Sequence, residues 1–223
     1  MQKKLIYLLF ILLTGISCSD NLEQTNTGYL KMPEISIDTD VEIQELSRST
    51  VASDIQIDIY QGSTIIKTYL VGDPALNAPI VLPVGSYKLV AHTPNMKEAA
   101  NQELGNPIYY AEGNFTVDAD QTTVVEPLVA KQINIGIFLQ FTDQLFNTAF
   151  TSITCHLLSS SGRTVNIDCK NNTAITYFNL YEDGNIQYTI KATNTDGEDF
   201  ILDTKTISMD RPQNYYIVAS IEK

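Results

Sequence analysis

The sequence of 223 residues has no tryptophan, two histidines and three cysteines, and these shortages remove several chemistries at once. His92 and His156 are too few for a His-rich metal cage and show no metalloprotease spacing, so no zinc or other metal site is expected. Cations are also scarce: 14 Lys and Arg stand against 26 Asp and Glu, a net charge of -12. Nucleic-acid binding draws its affinity from clustered Lys and Arg, so DNA and RNA are excluded as expected partners. There is no glycine-rich phosphate loop, nucleophile elbow or Ser-x-x-Lys pattern, and the chain is expected to be noncatalytic and without a cofactor. A hydrophobic fraction of 43% with only 18% charged residues is nevertheless the composition of a chain that folds.

One unbroken apolar run is present, Leu5 to Leu13, which is short of the roughly 20 residues a membrane-spanning helix needs. Lys3 and Lys4 precede it and the small residues Thr14, Gly15 and Ser17 follow, which is the pattern of a secretory signal covering residues 1–17. The next residue is Cys18. Gly15-Ile16-Ser17-Cys18 resembles the bacterial lipobox, which implies acylation of Cys18 and a membrane partner reached through lipid. Residues 18–27 are polar, rich in Thr and Asn, and read as a tether. Asp20 and Glu23, so close to that cysteine, resemble the surface-export signals of Bacteroidetes lipoproteins, which implies display at the outer membrane.

Beyond the tether the dominant signal is period-two alternation. Ile55, Ile57 and Ile59 alternate with Gln56 and Asp58, and Ile133, Ile135, Ile137, Leu139 and Phe141 repeat the pattern. Further strands are predicted at Tyr87 to Ala91, Phe115 to Val117, Ile153 to Leu157, Val165 to Ile167, Tyr188 to Ile190 and Tyr215 to Ile221, with Gly-containing turns between them. No helical period competes, and Asn95 to Leu104 reads as a loop insertion. The expected fold is all-β, antiparallel sandwich. Internal similarity at an offset of about a hundred residues predicts two tandem sandwiches, 28–130 and 131–223, against the alternative of one larger sandwich. Tyr29 to Ile37 is the opening strand of the first and Ile133 to Phe141 that of the second.

Cys155 and Cys169 flank a hairpin. If Ser161, Gly162 and Arg163 form its loop, the two cysteines face each other and a disulfide is possible in an exported protein; two buried reduced thiols are the alternative. His156 points to the other strand face and cannot activate Cys155. Carboxylates cluster at Asp196-Gly197-Glu198-Asp199 and at Asp38, Asp40 and Glu42, which suit a turn and a solvated loop better than a calcium site. The pairs Tyr109-Tyr110, Tyr177-Phe178 and Tyr215-Tyr216 each put one ring on either strand face, so one of each could stand exposed for stacking.

From Gly28 onward the order of segments resembles a family of uncharacterised two-domain Bacteroidetes surface lipoproteins, fimbrillin-like or transthyretin-like in architecture. The resemblance rests on Gly28-Tyr29-Leu30, Arg48, Leu82-Pro83-Val84-Gly85-Ser86-Tyr87-Lys88, Phe115-Thr116-Val117 and Thr176-Tyr177-Phe178. It implies a role in cell adhesion or pilus assembly, with pilus subunits as partners; the alternative is a glycan-binding surface lipoprotein, which exposed aromatic rings beside Asn or Asp side chains would favour, with surface glycans as partners. Fimbrillins are cut after an arginine and lose their first strand to a neighbour's, which implies possible protease processing at Arg48 within Leu46-Ser47-Arg48-Ser49-Thr50.

Overall fold

A computed structural model describes residues 26–38, 55–141, 144–170 and 174–219. Residues 1–17, where a signal is expected, Cys18 and Arg48 lie outside the described residues. The first half carries β1 (Thr27–Lys31), β2 (Ile35–Ile37), β3 (Gln56–Gln61), β4 (Thr64–Leu70), β5 (Ile80–Pro83), β6 (Gly85–His92), β7 (Tyr109–Val117), β8 (Thr122–Val124) and β9 (Leu128–Gln132). The second carries β10 (Asn134–Phe141), β11 (Phe150–Ser159), β12 (Thr164–Asp168), β13 (Thr176–Asn179), β14 (Asn185–Asn194), β15 (Asp199–Ile201), β16 (Lys205–Ser208) and β17 (Asn214–Ala219). β9 runs through Ala130 and Lys131, where the sequence places the boundary between halves, and β10 follows after Ile133 alone.

Each half is two facing sheets. In the first, the order β5-β1-β8 faces β2-β9-β7-β6-β3-β4; in the second, β13-β10-β17 faces β12-β11-β14-β15, with β16 also on β14. The opening strand takes the same place in both, antiparallel to one neighbour and parallel to the other: β1 lies between β5 and β8, and β10 between β13 and β17. The sandwiches are therefore not purely antiparallel, since β2 also runs parallel to β9. The expected single opening strand, Tyr29 to Ile37, is two strands in different sheets, because the chain breaks at Met32–Glu34 around Pro33, which has no N–H to give a ladder.

Alternation sets the two cores. Leu30, Ile57, Ile59, Leu82, Tyr87, Leu89 and Phe115 fill the first, and Ile135, Ile137, Ile153, Leu157, Val165, Phe178 and Ile186 the second, with no residue common to both. The Leu82–Tyr87 element has a physical reason: the Tyr87 hydroxyl donates to the Pro83 carbonyl at 2.7 Å across the turn, while the ring stacks on Phe115 with centroids 5.4 Å apart. A short helix not anticipated from the sequence, α1 (Gln144–Ala149), sets Phe146 between Phe141 and Phe150 over one end of the second core. Among the described residues no helix is long and apolar enough to cross a membrane.

The register of the β11–β12 hairpin corrects the cysteine pairing. Ser159 N–H donates to the Arg163 carbonyl at 2.9 Å, so the loop is Ser160 to Gly162, one residue earlier than expected. Gly162, at φ +85°, supplies the left-handed third position that this loop type requires, which fixes the shift. Cys155 consequently faces Ile167, and Cys169 N–H bonds the Ile153 carbonyl. The cysteines are diagonal rather than directly opposed, and both are free thiols. Burial pushes Cys155 up to about 12 and Cys169 up to about 11, so neither is a ready nucleophile.

Candidate functional site

The loop between β6 and β7, expected as a plain insertion, leaves the first half and straps onto the second. Its backbone and side chains dress the free edge of β12: Gln102 N–H donates to the Thr164 carbonyl at 2.9 Å, Asn101 Oδ1 accepts from Thr164 N–H at 2.9 Å, and Gln102 Oε1 accepts from Asn166 N–H at 3.0 Å. Two residues on, the Leu104 carbonyl accepts from Tyr177 N–H at 2.7 Å on β13, and the Leu104 side chain packs against the second core. β12 and β13 are edges of opposite sheets, so one loop closes the side of the second sandwich and covers edges that would otherwise template foreign strands.

Arg163 anchors this closure. It follows the hairpin glycine, is 5% exposed, and sends its guanidinium to three carbonyls: Tyr177 at 2.5 Å, Glu103 at 2.5 Å and Ala100 at 3.2 Å. Its Cζ lies over the Phe178 ring, 4.4 Å from the centroid. Burial works against the charge, and Glu98, Tyr181 and Glu103 work for it. Glu98 lies 3.9 Å from the guanidinium and accepts from Asn179 N–H at 3.1 Å, from the Ser161 hydroxyl at 3.1 Å and from the Tyr181 hydroxyl. Asn134 ties the return of the loop, its Oδ1 accepting from Ile108 N–H and its Nδ2 donating to the Asn106 carbonyl, each at 2.9 Å. Between loop and second half remains a cavity of about 330 Å³, bordered by Thr93, Asn95, Asn106, Asn134, Tyr177 and Asn179.

A second polar cluster sits on the outer face of the large sheet of the first half. Asp58, 2% exposed on β3, accepts from Thr68 Oγ1 at 2.6 Å, His92 Nε2 at 3.0 Å and Gln56 Nε2 at 3.0 Å. Burial pushes its carboxyl up, but the hydrogen bonds from Thr68, His92 and Gln56 outweigh it, and the pKa falls below the ordinary value. A depressed carboxylate stabilises the fold above its unfolded pKa, about 3.9, and that contribution is lost as pH falls through the lower folded value. Asp58→Asn is expected to cost about 2 kcal/mol at neutral pH, with the gap to wild type closing below about pH 4. Urea unfolding of both proteins across that range checks this; a gap independent of pH would show that the charge is not what matters.

Most other residues singled out by the sequence are dispersed. His156 is exposed and bonds its cross-strand partner Asn166 at 2.8 Å, on the face away from Cys155. Asp196 to Asp199 form a turn, with Gly197 at φ +82°, Asn194 Oδ1 accepting from Asp196 and Glu198 N–H, and Asp199 paired to Lys191 at 2.8 Å. Asp40 and Glu42 lie outside the described residues, and among the described residues no group of three or more His, Cys, Asp or Glu is placed to hold a metal. Of the aromatic pairs, Tyr216 is 40% exposed, whereas Tyr177 and Phe178 are both buried, because Tyr177 packs with Phe138 and Ile175 on the face opposite Phe178.

The model of one protein family, described as a domain of unknown function, DUF4493, matches residues 26–221. The chain belongs to the DUF4493 family. The resemblance to an uncharacterised family drawn from the sequence is thereby borne out over nearly all residues past the tether. No curated protein matches this DUF4493 chain. Among solved structures it is similar to a candidate adhesin from Bacteroides ovatus, at 10% identity over 89% of this chain and 93% of that one, with a TM-score of 0.45. It is also similar to a candidate polysaccharide-binding protein from Bacteroides thetaiotaomicron, at 11% identity over 86% and 90%, TM-score 0.45. A third similarity is to the shaft pilin SpaA of Lactobacillus rhamnosus, at 11% identity over 89% and 99%, TM-score 0.32.

Proposed function

We propose that the protein is a noncatalytic lipoprotein of the outer cell surface, anchored through Cys18, that serves cell adhesion or pilus assembly. The observation that carries this reading is the strap. Gln102, Leu104, Glu98 and Arg163 join the two halves by buried and edge-to-edge hydrogen bonds, which suits a stiff element holding its far end away from a membrane. The signal pattern before Cys18 and the polar residues 18–27 supply the anchor and its reach. Pilus assembly has support of its own in the place of β1. It is the central strand of its sheet and Leu30 is fully buried, so a cut after Arg48 that released β1 would leave β5 and β8 facing a strand-wide slot.

The test compares native cells carrying the wild-type protein or Cys18→Ser for retention under flow on glycoprotein-coated surfaces, with N-terminal sequencing of the protein recovered from the surface. Wild-type cells are expected to be retained and Cys18→Ser cells lost. Equal retention would sink the anchored-adhesin reading, and a lipid-free chain starting at Ser49 would replace it with pilin-type processing.

A further inference from the structure

The cavity between the strap and the second half lies among groups that the fold does not use up. Asn134 is committed to the backbone at Ile108 and Asn106, but among the described residues no hydrogen bond holds the side-chain amides of Asn106 and Asn179, which also border the cavity. The amides each offer donors and an acceptor at one point, and Thr93 keeps its hydroxyl proton after accepting from Tyr109 N–H. Adjacent hydroxyls of a pyranose ring, each both donor and acceptor, match such a lining. A volume of about 330 Å³ is at the small end of ligand sites and suits one ring rather than a chain of them.

Charge narrows the choice. Lys97, Glu98 and Glu103 border the cavity and Arg163 faces Glu98, so the charges balance and the lining holds no excess positive charge to draw an anionic ligand. Glu98 is already saturated by Asn179 N–H, Ser161 and Tyr181.

We infer that this cavity binds a single neutral sugar residue. The inference rests on the surface reading, because export is what brings the cavity to extracellular glycans. A ligand this small gives a dissociation constant on the order of millimolar. Saturation-transfer NMR on the full chain in detergent, with glucose, galactose, mannose and N-acetylglucosamine and with anionic glucuronate and zwitterionic glutamine as comparators, reads it directly. A neutral sugar is expected to show transfer, and Asn179→Leu to lower its affinity at least tenfold. Asn106→Ala, which removes an exposed amide and no hydrogen bond of the fold, is expected to lower it about threefold with unchanged circular dichroism. No transfer from any neutral sugar, transfer unaltered by both variants, or tighter binding of glucuronate or glutamine would overturn the inference. Retention of cells under flow is a separate readout, so cells that adhere through a protein binding no sugar would sink this inference alone.

Discussion

Replacing Arg163 with alanine is expected to lower the stability of the second half by about 3–5 kcal/mol and to free the strap from it. The guanidinium bonds the carbonyls of Tyr177, Glu103 and Ala100 at one point, and alanine would take that partner from all three, leaving Ala100 only Glu103 N–H, and open a cavity where the guanidinium lay over Phe178. Glu98 would lose its nearest cation at the same time. Urea unfolding gives the magnitude, and hydrogen exchange at Thr164, Asn166 and Tyr177 gives the location, since those amides bond the strap. Arg163→Lys keeps the charge but not the planar fork, and is expected to recover less than half of the loss. If the amides of the strap edge stay protected in Arg163→Ala, the loop is held by its own hydrogen bonds and the arginine is incidental.

Gly184→Ala is expected to cost about 4 kcal/mol. Gly184 stands at φ +56°, and a methyl group there would lie 2.2 Å from the backbone oxygen of Met209. That oxygen cannot move cheaply, because Met209 N–H bonds the Gly184 carbonyl at 2.6 Å and the Met209 side chain is 1% exposed in the second core. Gly62 provides the comparison: its φ is +61°, but nothing lies within 4 Å of the added carbon. Gly62→Ala is thus expected to cost only the left-handed backbone penalty, about 1 kcal/mol. Denaturation midpoints of the two variants separate strain from collision, and equal losses would show that conformation alone is at stake.

The strands were legible because their information is local. Alternation at Ile55 to Ile59 and at Ile135 to Phe141 names both strand and inward face, although Ile133, at the head of the second pattern, is exposed just before β10, and the chain repeats the arrangement in each half. The pairing of Cys155 was misjudged by a single step in loop placement, and the cue that decides it, a glycine as the last loop residue, was present at Gly162. The strap could not be seen in that way. Asn95 to Leu104 has no period, and its partners Thr164, Asn166 and Arg163 lie some sixty residues on, so their meeting is a property of the assembled halves. Asp58 was hidden differently: it occupies an outward position of an alternating strand, where a carboxylate looks ordinary, and only neighbours on β4 and β6 reveal that it is enclosed.

The parallel union of β10 with β17 bears on what happens under mechanical load. Gly136 through Phe141 lie in register against Asn214 through Ala219, and these are the strands by which the backbone enters and leaves the second half. A pull on the two ends therefore drags adjacent strands in opposite directions along their own length. Six matched residue pairs then resist together in shear, where an antiparallel hairpin loaded at its open end would peel rung by rung. A body held at one end and tugged at the other by passing fluid would thus yield by sudden slippage at high force, after resisting with little extension.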